Sequence, residues 1–312
     1  MGSIFSDEQH LTEAPKKQSV QYFSNIVIPQ RFRRKIIDHQ TLFSCRIVNR
    51  AVRSPQLLFL VGPPGCGKTR MAEATLKEFG ITPVILPAST LGGELEGDSV
   101  KPLVLAYLEA QGSGEHCGAL IIDDFDLSAG RIDENQTSTI NGSLLNSFLM
   151  SRADNPFQIE SGDKPFKTYA VDNPPIIIIT ANDTGKIYGP LKRPGRALIF
   201  EWKPNGPDLI EMVSGLYPGL KKAEAIKLVN TFPNQPIAFF EQLGYCLSRK
   251  IVGQYMESHN ISHKDHFDIS ATADMIDRSS GTGTFAQLMR AGREMLSAHV
   301  SQSYLTNHED IY

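Results

Sequence analysis

Short apolar runs alternate with helix-compatible stretches between residues 57 and 202. Runs at 57–61, 82–86, 119–122, 176–180 and 197–202 are leucine-rich or β-branched, and the segments between them are long enough to hold helices. Such alternation predicts an α/β fold with a five-stranded, mostly parallel sheet and helices on both faces. Ahead of the first run, Phe32, Ile36, Ile37, Phe43 and Ile47 recur at roughly helical spacing and predict a helix over 32–48. After Pro204-Asn205-Gly206-Pro207 the strand-like runs stop. Leu209, Met212, Val213 and Leu216, then Ala225, Leu228 and Val229, then Phe239, Leu243 and Leu247 form helical stripes. The expected organisation is a polar, mobile segment over 1–25, an α/β subdomain over 26–203 and a helical lid subdomain over 204–312.

The first strand runs into Gly62-Pro63-Pro64-Gly65-Cys66-Gly67-Lys68-Thr69, and a helix-compatible stretch begins at Arg70. This is a phosphate-binding loop between a strand and a helix. Its glycines let backbone N–H groups turn toward a triphosphate, Lys68 can reach the terminal phosphates, and Thr69 can place its hydroxyl on Mg²⁺ at a helix N-terminus that favours anions. The segment from Gly62 to Arg70 is therefore the expected ATP-binding stretch.

The other chemical motifs also end strands. In Ala119-Leu120-Ile121-Ile122-Asp123-Asp124-Phe125-Asp126, a carboxylate can hold Mg²⁺ and its neighbour can orient or deprotonate the attacking water; Asp123 is assigned the metal and Asp124 the water. Asp126 is expected to cap the next helix or loop. Ile176-Ile177-Ile178-Ile179-Thr180-Ala181-Asn182-Asp183 places Asn182 where a carboxamide could bond the water or the γ-phosphate, although Asn-Asp is also ordinary turn chemistry. Arg193 and Arg196, in Leu191-Lys192-Arg193-Pro194-Gly195-Arg196, suit a developing phosphoryl charge. They could be supplied to a neighbouring subunit's nucleotide in a ring, or could be solvent-facing turn residues.

The order of phosphate loop, acidic strand, Asn-ended strand, paired arginines and helical lid resembles that of the AAA+ ATPases, and within them the chain is similar to the Rubisco activases. The likeness runs through Ile28-Pro29-Gln30-Arg31-Phe32, Asp124-Phe125-Asp126-Leu127-Ser128-Ala129-Gly130-Arg131 and Ala153-Asp154-Asn155-Pro156. It continues from Asn182-Asp183-Thr184-Gly185-Lys186 to Arg193-Pro194-Gly195-Arg196, and in Phe232-Pro233-Asn234-Gln235-Pro236-Ile237-Ala238-Phe239-Phe240, covering about residues 26–305. The resemblance implies a hexameric ring that hydrolyses ATP and remodels a partner protein through loops facing a central pore. In activases the partner is Rubisco, from which inhibitory sugar phosphates are released. Residues 91–97 and 128–135 would be the pore loops, and the first offers leucines and acids where peptide-threading loops offer an aromatic residue. The chain departs from the activase pattern at Gly65-Cys66-Gly67-Lys68-Thr69 and Asp123-Asp124. It also has Gly244 where a second-sensor arginine is expected in the lid, with Arg249 the nearby candidate.

Composition narrows the alternatives. The 312 residues are 41% hydrophobic and 21% charged with a net charge of −3, which is ordinary for a soluble protein, and no segment approaches the roughly 18 consecutive apolar residues of a membrane span. Gly2 and Ser6 fit a myristoylation pattern only weakly, without a basic second anchor. The basic cluster Arg31-Phe32-Arg33-Arg34-Lys35 reads as a solvated helix face, and the acids Glu94, Glu96 and Asp98 in the first pore loop argue against a nucleic-acid motor. A small-molecule kinase would need neither arginines in trans nor a separate lid. Cys45, Cys66, Cys117 and Cys246 are widely spaced and are expected to be reduced thiols, in cytoplasm or, in a photosynthetic eukaryote, plastid stroma.

Overall fold

The computed structural model describes residues 26–91, 100–128, 140–160, 168–258, 274 and 284–306. The expectations for the segment 1–25 and for most of both pore loops, 92–97 and 129–135, fall outside these residues.

Helix α1 spans Gln30–Val48 and buries Phe32, Ile36 and Phe43, the stripe read from the sequence. Then come β1 (Leu57–Val61), α2 (Lys68–Glu78), β2 (Val84–Pro87), α3 (Val100–Glu109), β3 (Ala119–Asp123), the single turn α4 (Phe125–Ser128) and α5 (Ile140–Asp154). A hairpin of β4 (Gln158–Glu160) and β5 (Thr168–Ala170) precedes β6 (Ile176–Ala181) and β7 (Ala197–Glu201). From there the described elements are helical: α6 (Gly206–Leu216), α7 (Lys222–Thr231), α8 (Ile237–Ser258) and α9 (Phe285–Thr306).

The five-stranded sheet has the order β2-β3-β6-β1-β7, and each neighbouring pair is parallel. Successive side chains point to opposite faces, so each apolar strand feeds two cores. Leu58, Leu60, Ile121, Ile176 and Ile178 pack under α1 and α2, in a cluster that continues into Val213, Leu228, Phe240 and Leu243 of the C-terminal helices. Leu57, Phe59, Leu120, Ile122, Ile177 and Ile179 face the other way, toward Leu103 and Tyr107 of α3 and Leu149 of α5. The central runs β1, β3 and β6 are thus strands covered on both sides, while the edge strands β2 and β7 leave Ile85 and Ile199 exposed.

Two details differ from the sequence expectation. Strand β2 lies at Val84–Pro87, displaced from the 82–86 run. The β4–β5 hairpin had no apolar run to announce it, because its short strands are exposed at all but Ile159. Pro204-Asn205-Gly206-Pro207, read as a break, is the start of α6. The Asn205 side chain accepts from Asp208 N–H at 2.9 Å while the Asp208 carboxylate accepts from Asn205 N–H at 3.0 Å, and Pro207 occupies the first turn.

His39 is 2% exposed on α1, with Nε2 lying 3.3 Å from the carbonyl of Gln56. Burial lowers its pKa from 6.5 to about 4, against the raising effect of the Gln56 carbonyl and with a small further lowering from Lys35. The unfolded chain therefore binds a proton that the folded chain refuses. This contribution to stability is complete above the unfolded value and is lost as pH falls through the folded one. Unfolding in urea is expected to show the stability difference between wild type and His39→Gln shrinking by about 3 kcal/mol from neutral pH to about pH 4. A pH-independent difference would contradict this assignment.

Candidate functional site

Strands β3, β6 and β1 are adjacent and run the same way, so the segments following them emerge at one edge of the sheet. Val61 is level with Ala181, and Ile122 with Ile179. Gly62, Asn182 and the Asp123-Asp124 pair, distant in sequence, therefore meet.

The loop after β1 is clamped at several points. Gly62 N–H donates to Ala181 O at 3.1 Å, and a Cβ on Gly62 would lie 2.0 Å from the carbonyl oxygen of Trp202, so only glycine fits. Trp202 is fully buried, and its indole N–H donates to Cys66 O at 3.0 Å. Gly65 and Gly67 have φ of 70° and 80°, and Gly67 directly precedes α2, whose N-terminus opens onto the loop. Burial pushes the Cys66 thiol up, which keeps it protonated and inert.

Lys68 is 7% exposed, and its ammonium donates to three neutral oxygens: Gly62 O at 2.8 Å, Pro63 O at 3.1 Å and Asn182 Oδ1 at 3.0 Å. Among the described residues no carboxylate lies within ion-pair distance of it. A buried cation solvated only by dipoles is a site prepared for an anion.

Beside it, Thr69 donates to Asp123 Oδ1 at 2.5 Å and Thr180 donates to the same oxygen at 2.6 Å. Asp124 has a φ of 54°, and its N–H donates to Thr180 Oγ1 at 3.0 Å. Its carboxyl lies above the usual range, because burial and the neighbouring charges of Asp123 and Asp126 outweigh the attraction of Lys68. Asp126 does not act as the expected cap. It sits inside the turn α4, and its carboxylate accepts instead from Asn182 N–H, tying the acidic turn to the end of β6. A cleft of about 390 Å³ is lined by residues 64–70 with Asp123, Asp124 and Asn182. An adjoining recess of about 150 Å³ is mostly apolar, with Val27, Met71, Met212, Leu216 and Ala238 around Gly65. The loop and recess fit a nucleotide's phosphates and base, and the hard oxygens of Asp123 and Thr69 fit Mg²⁺.

Residues 58–205 match the family model described as the ATPase family associated with various cellular activities (AAA). The chain carries an AAA ATPase domain. Among curated proteins, the ribulose bisphosphate carboxylase/oxygenase activase of Nostoc sp. is 36% identical over 230 residues, 69% of this chain and 52% of that protein. The chloroplastic activase of Zea mays is 30% identical over 250 residues, 77% of this chain and 56% of the relative. The chain spans about half the length of the curated relatives it matches.

The AAA domain places the remaining sequence candidates elsewhere. The Arg193 side chain is exposed and makes no hydrogen bond or ion pair among the described residues, while its carbonyl accepts from Arg196 N–H at 3.2 Å. Arg196 is held within the chain, through Nε and Nη2 to the Asp154 carboxylate at 2.9 and 3.0 Å and through Nη1 to Pro190 O at 3.2 Å. Neither lines the cleft around residues 64–70. Arg70 lines that cleft and donates to Glu241 on α8 at 2.7 Å, while Ala238 N–H donates to Gly65 O at 3.1 Å, so the helical region contacts the loop directly. Arg249 is exposed further along α8, outside both cavities, and Gly244 faces the Tyr217 hydroxyl rather than the cleft, with an added Cβ 3.3 Å from it. Thr180, Trp202 and Glu241 are site-shaping residues that no sequence motif singled out. The hydroxyl interrupting the β6 apolar run was the available signal for Thr180.

Gly62→Ala is expected to force the loop off Trp202, costing about 1–3 kcal/mol of stability. Because Trp202 is the chain's one tryptophan, its emission should shift in the variant and report on the loop directly. Unchanged emission and thermal midpoint would show that the loop tolerates the added carbon.

Proposed function

We propose that this chain hydrolyses ATP in a ring of identical subunits and uses the turnover to remodel a protein client, with Rubisco the client that its similarity to activases suggests. The observation that carries the ATPase reading is the Lys68 ammonium, buried between loop carbonyls and Asn182 and beside the Asp123-Asp124 pair, with no carboxylate within ion-pair distance among the described residues. Backbone N–H groups of residues 65–69 would hold the phosphates and Lys68 would meet the terminal ones. Thr69 and Asp123 would hold Mg²⁺, which when bound supplies charge neutralisation to the terminal phosphates. Asp124 would take the proton of the attacking water as its oxygen bonds to the γ-phosphorus, and the bond to the bridging oxygen breaks to release ADP and phosphate. Asn182 would orient that water or the γ-phosphate. The raised carboxyl of Asp124 favours its accepting a proton.

For the step in trans, the free Arg193 is the better candidate to touch a neighbour's phosphate, and Arg196, braced by Asp154, would hold the loop that carries it. The departures from the activase pattern at Gly65-Cys66-Gly67-Lys68-Thr69 and Asp123-Asp124 favour a second reading in which the same motor serves another protein client. Either client would be met in cytoplasm or plastid stroma. The four cysteines are free, and among the described residues no helix is long and apolar enough to cross a membrane.

Lys68→Ala is expected to abolish nucleotide binding or turnover. Asp124→Asn should bind ATP within about threefold of wild type while losing about a hundredfold or more in kcat, measured by phosphate release. Arg193→Ala should bind normally and hydrolyse poorly, and mixing it with Asp124→Asn should restore part of the activity. A wild-type protein that stays monomeric by sedimentation with and without ATP, yet turns over normally, would remove the ring. ATP-loaded Asp124→Asn should retain purified, sugar-phosphate-inhibited Rubisco, and capture of a different protein instead would keep the motor and replace the client.

A further inference from the structure

Strand β6 is aliphatic at every position but one. Ile176, Ile177, Ile178, Ile179 and Ala181 are buried, and among them Thr180, 1% exposed, carries a hydroxyl. That group is engaged as both donor and acceptor, giving its proton to Asp123 Oδ1 at 2.6 Å and receiving the Asp124 N–H at 3.0 Å. Its neighbour across the site, the Thr69 hydroxyl, is 3.5 Å away and also donates to Asp123 Oδ1.

Both partners need it. Asp124 has left-handed backbone, φ 54°, a conformation that costs an L-residue roughly 1–2 kcal/mol and that aspartate tolerates better than most. Asp124 follows the last residue of β3, and its N–H meets a side-chain oxygen of the neighbouring strand. The bond fixes the turn, and the turn fixes where the Asp124 carboxylate points. Asp123 Oδ1 is held by two hydroxyls. Once Thr69 is drawn to a cation, the Thr180 hydroxyl is the one left to orient it.

We propose that Thr180 is a positioning residue for hydrolysis: one buried hydroxyl sets the aim of both carboxylates, Asp123 for the metal and Asp124 for the water, without lining the phosphate cleft itself. The proposal rests on the reading of the site as a Mg²⁺-dependent ATPase. Valine in its place keeps the β-branch and the volume and deletes the hydroxyl, leaving Asp124 N–H without a partner, whereas serine keeps the hydroxyl and deletes the methyl.

Thr180→Val is expected to lower kcat on the order of tenfold to a hundredfold and to weaken Mn²⁺ binding to the ADP-loaded protein comparably, as loss of groups that orient metal ligands does. Its KM for ATP should stay within about threefold, and Thr180→Ser should keep all three quantities within about threefold of wild type. A role confined to packing would instead lower the melting temperature of both variants with kcat per folded molecule unchanged. A folded Thr180→Val protein with wild-type kcat overturns the proposal, and so does Thr180→Ser losing as much as Thr180→Val. In the unliganded wild type, the Asp124 amide is expected to exchange with deuterium at least about a hundredfold more slowly than in an unstructured chain, and free exchange overturns the proposal even if neither variant folds. That measurement needs no turnover. Absence of phosphate release from wild type with a protected Asp124 amide would instead count against the ATPase reading.

Discussion

The site depends on the parallel register of three strands. With β3, β6 and β1 hydrogen-bonded side by side, Ile122 level with Ile179 and Val61 level with Ala181, the residues that end each strand share one edge. Side chains alternate along a strand, so a slip of one residue in β6 would send Thr180 and Asn182 to the opposite face and bring isoleucine and alanine to the acids. The two apolar cores prevent that slip. Ile176 and Ile178 are committed to one cluster, and Ile177 and Ile179 to the other, on the two sides of the sheet. The hydrophobic effect thus sets the register, and the register sets the chemistry.

The second constraint is how the C-terminal helices meet the phosphate loop, where strong and weak contacts divide the work. Trp202 is wholly buried, with its ring centroid 5.0 Å from that of Phe32 and its indole N–H on Cys66 O, so it braces one side of the loop. Arg31 lies over the same indole at 4.6 Å and pairs with Asp208 at the start of α6, linking α1, the end of β7 and α6. The reading of Arg31 as a merely solvated helix position missed this. Arg70 and Glu241, by contrast, are 43% and 39% exposed, and exposed pairs contribute about 1 kcal/mol or less. Such an exposed pair is weakly held, whereas the Trp202 contact is buried.

Much of this was legible in the linear chain. The apolar runs and their spacing implied the sheet, because a strand buried on both faces must be apolar throughout. The glycines and lysine of the loop declared themselves because backbone turned toward an anion demands those residue types. The β4–β5 hairpin was not legible, since three-residue strands with exposed side chains leave no periodic trace. Nor was the behaviour of Asp126. Its place after a strand and before a helix suggested a cap, and only the neighbouring strand end revealed the Asn182 N–H that it satisfies.

The sequence by itself determined the five strands of the main sheet and the helical stripes that follow, and it pointed to Gly62 to Thr69, Asp123, Asp124 and Asn182 as groups with chemistry to offer. Local patterns suffice there, because burial and backbone geometry select residue types position by position. Tertiary structure decided which of those groups touch. Among the described residues it left Lys68 without a counter-ion, paired Arg196 with Asp154 while the Arg193 side chain stayed unpaired, and made one threonine in an isoleucine strand the common partner of both acids. These are contacts between segments far apart in the chain, and no local periodicity encodes the partner of a hydrogen bond that forms only after the sheet has assembled.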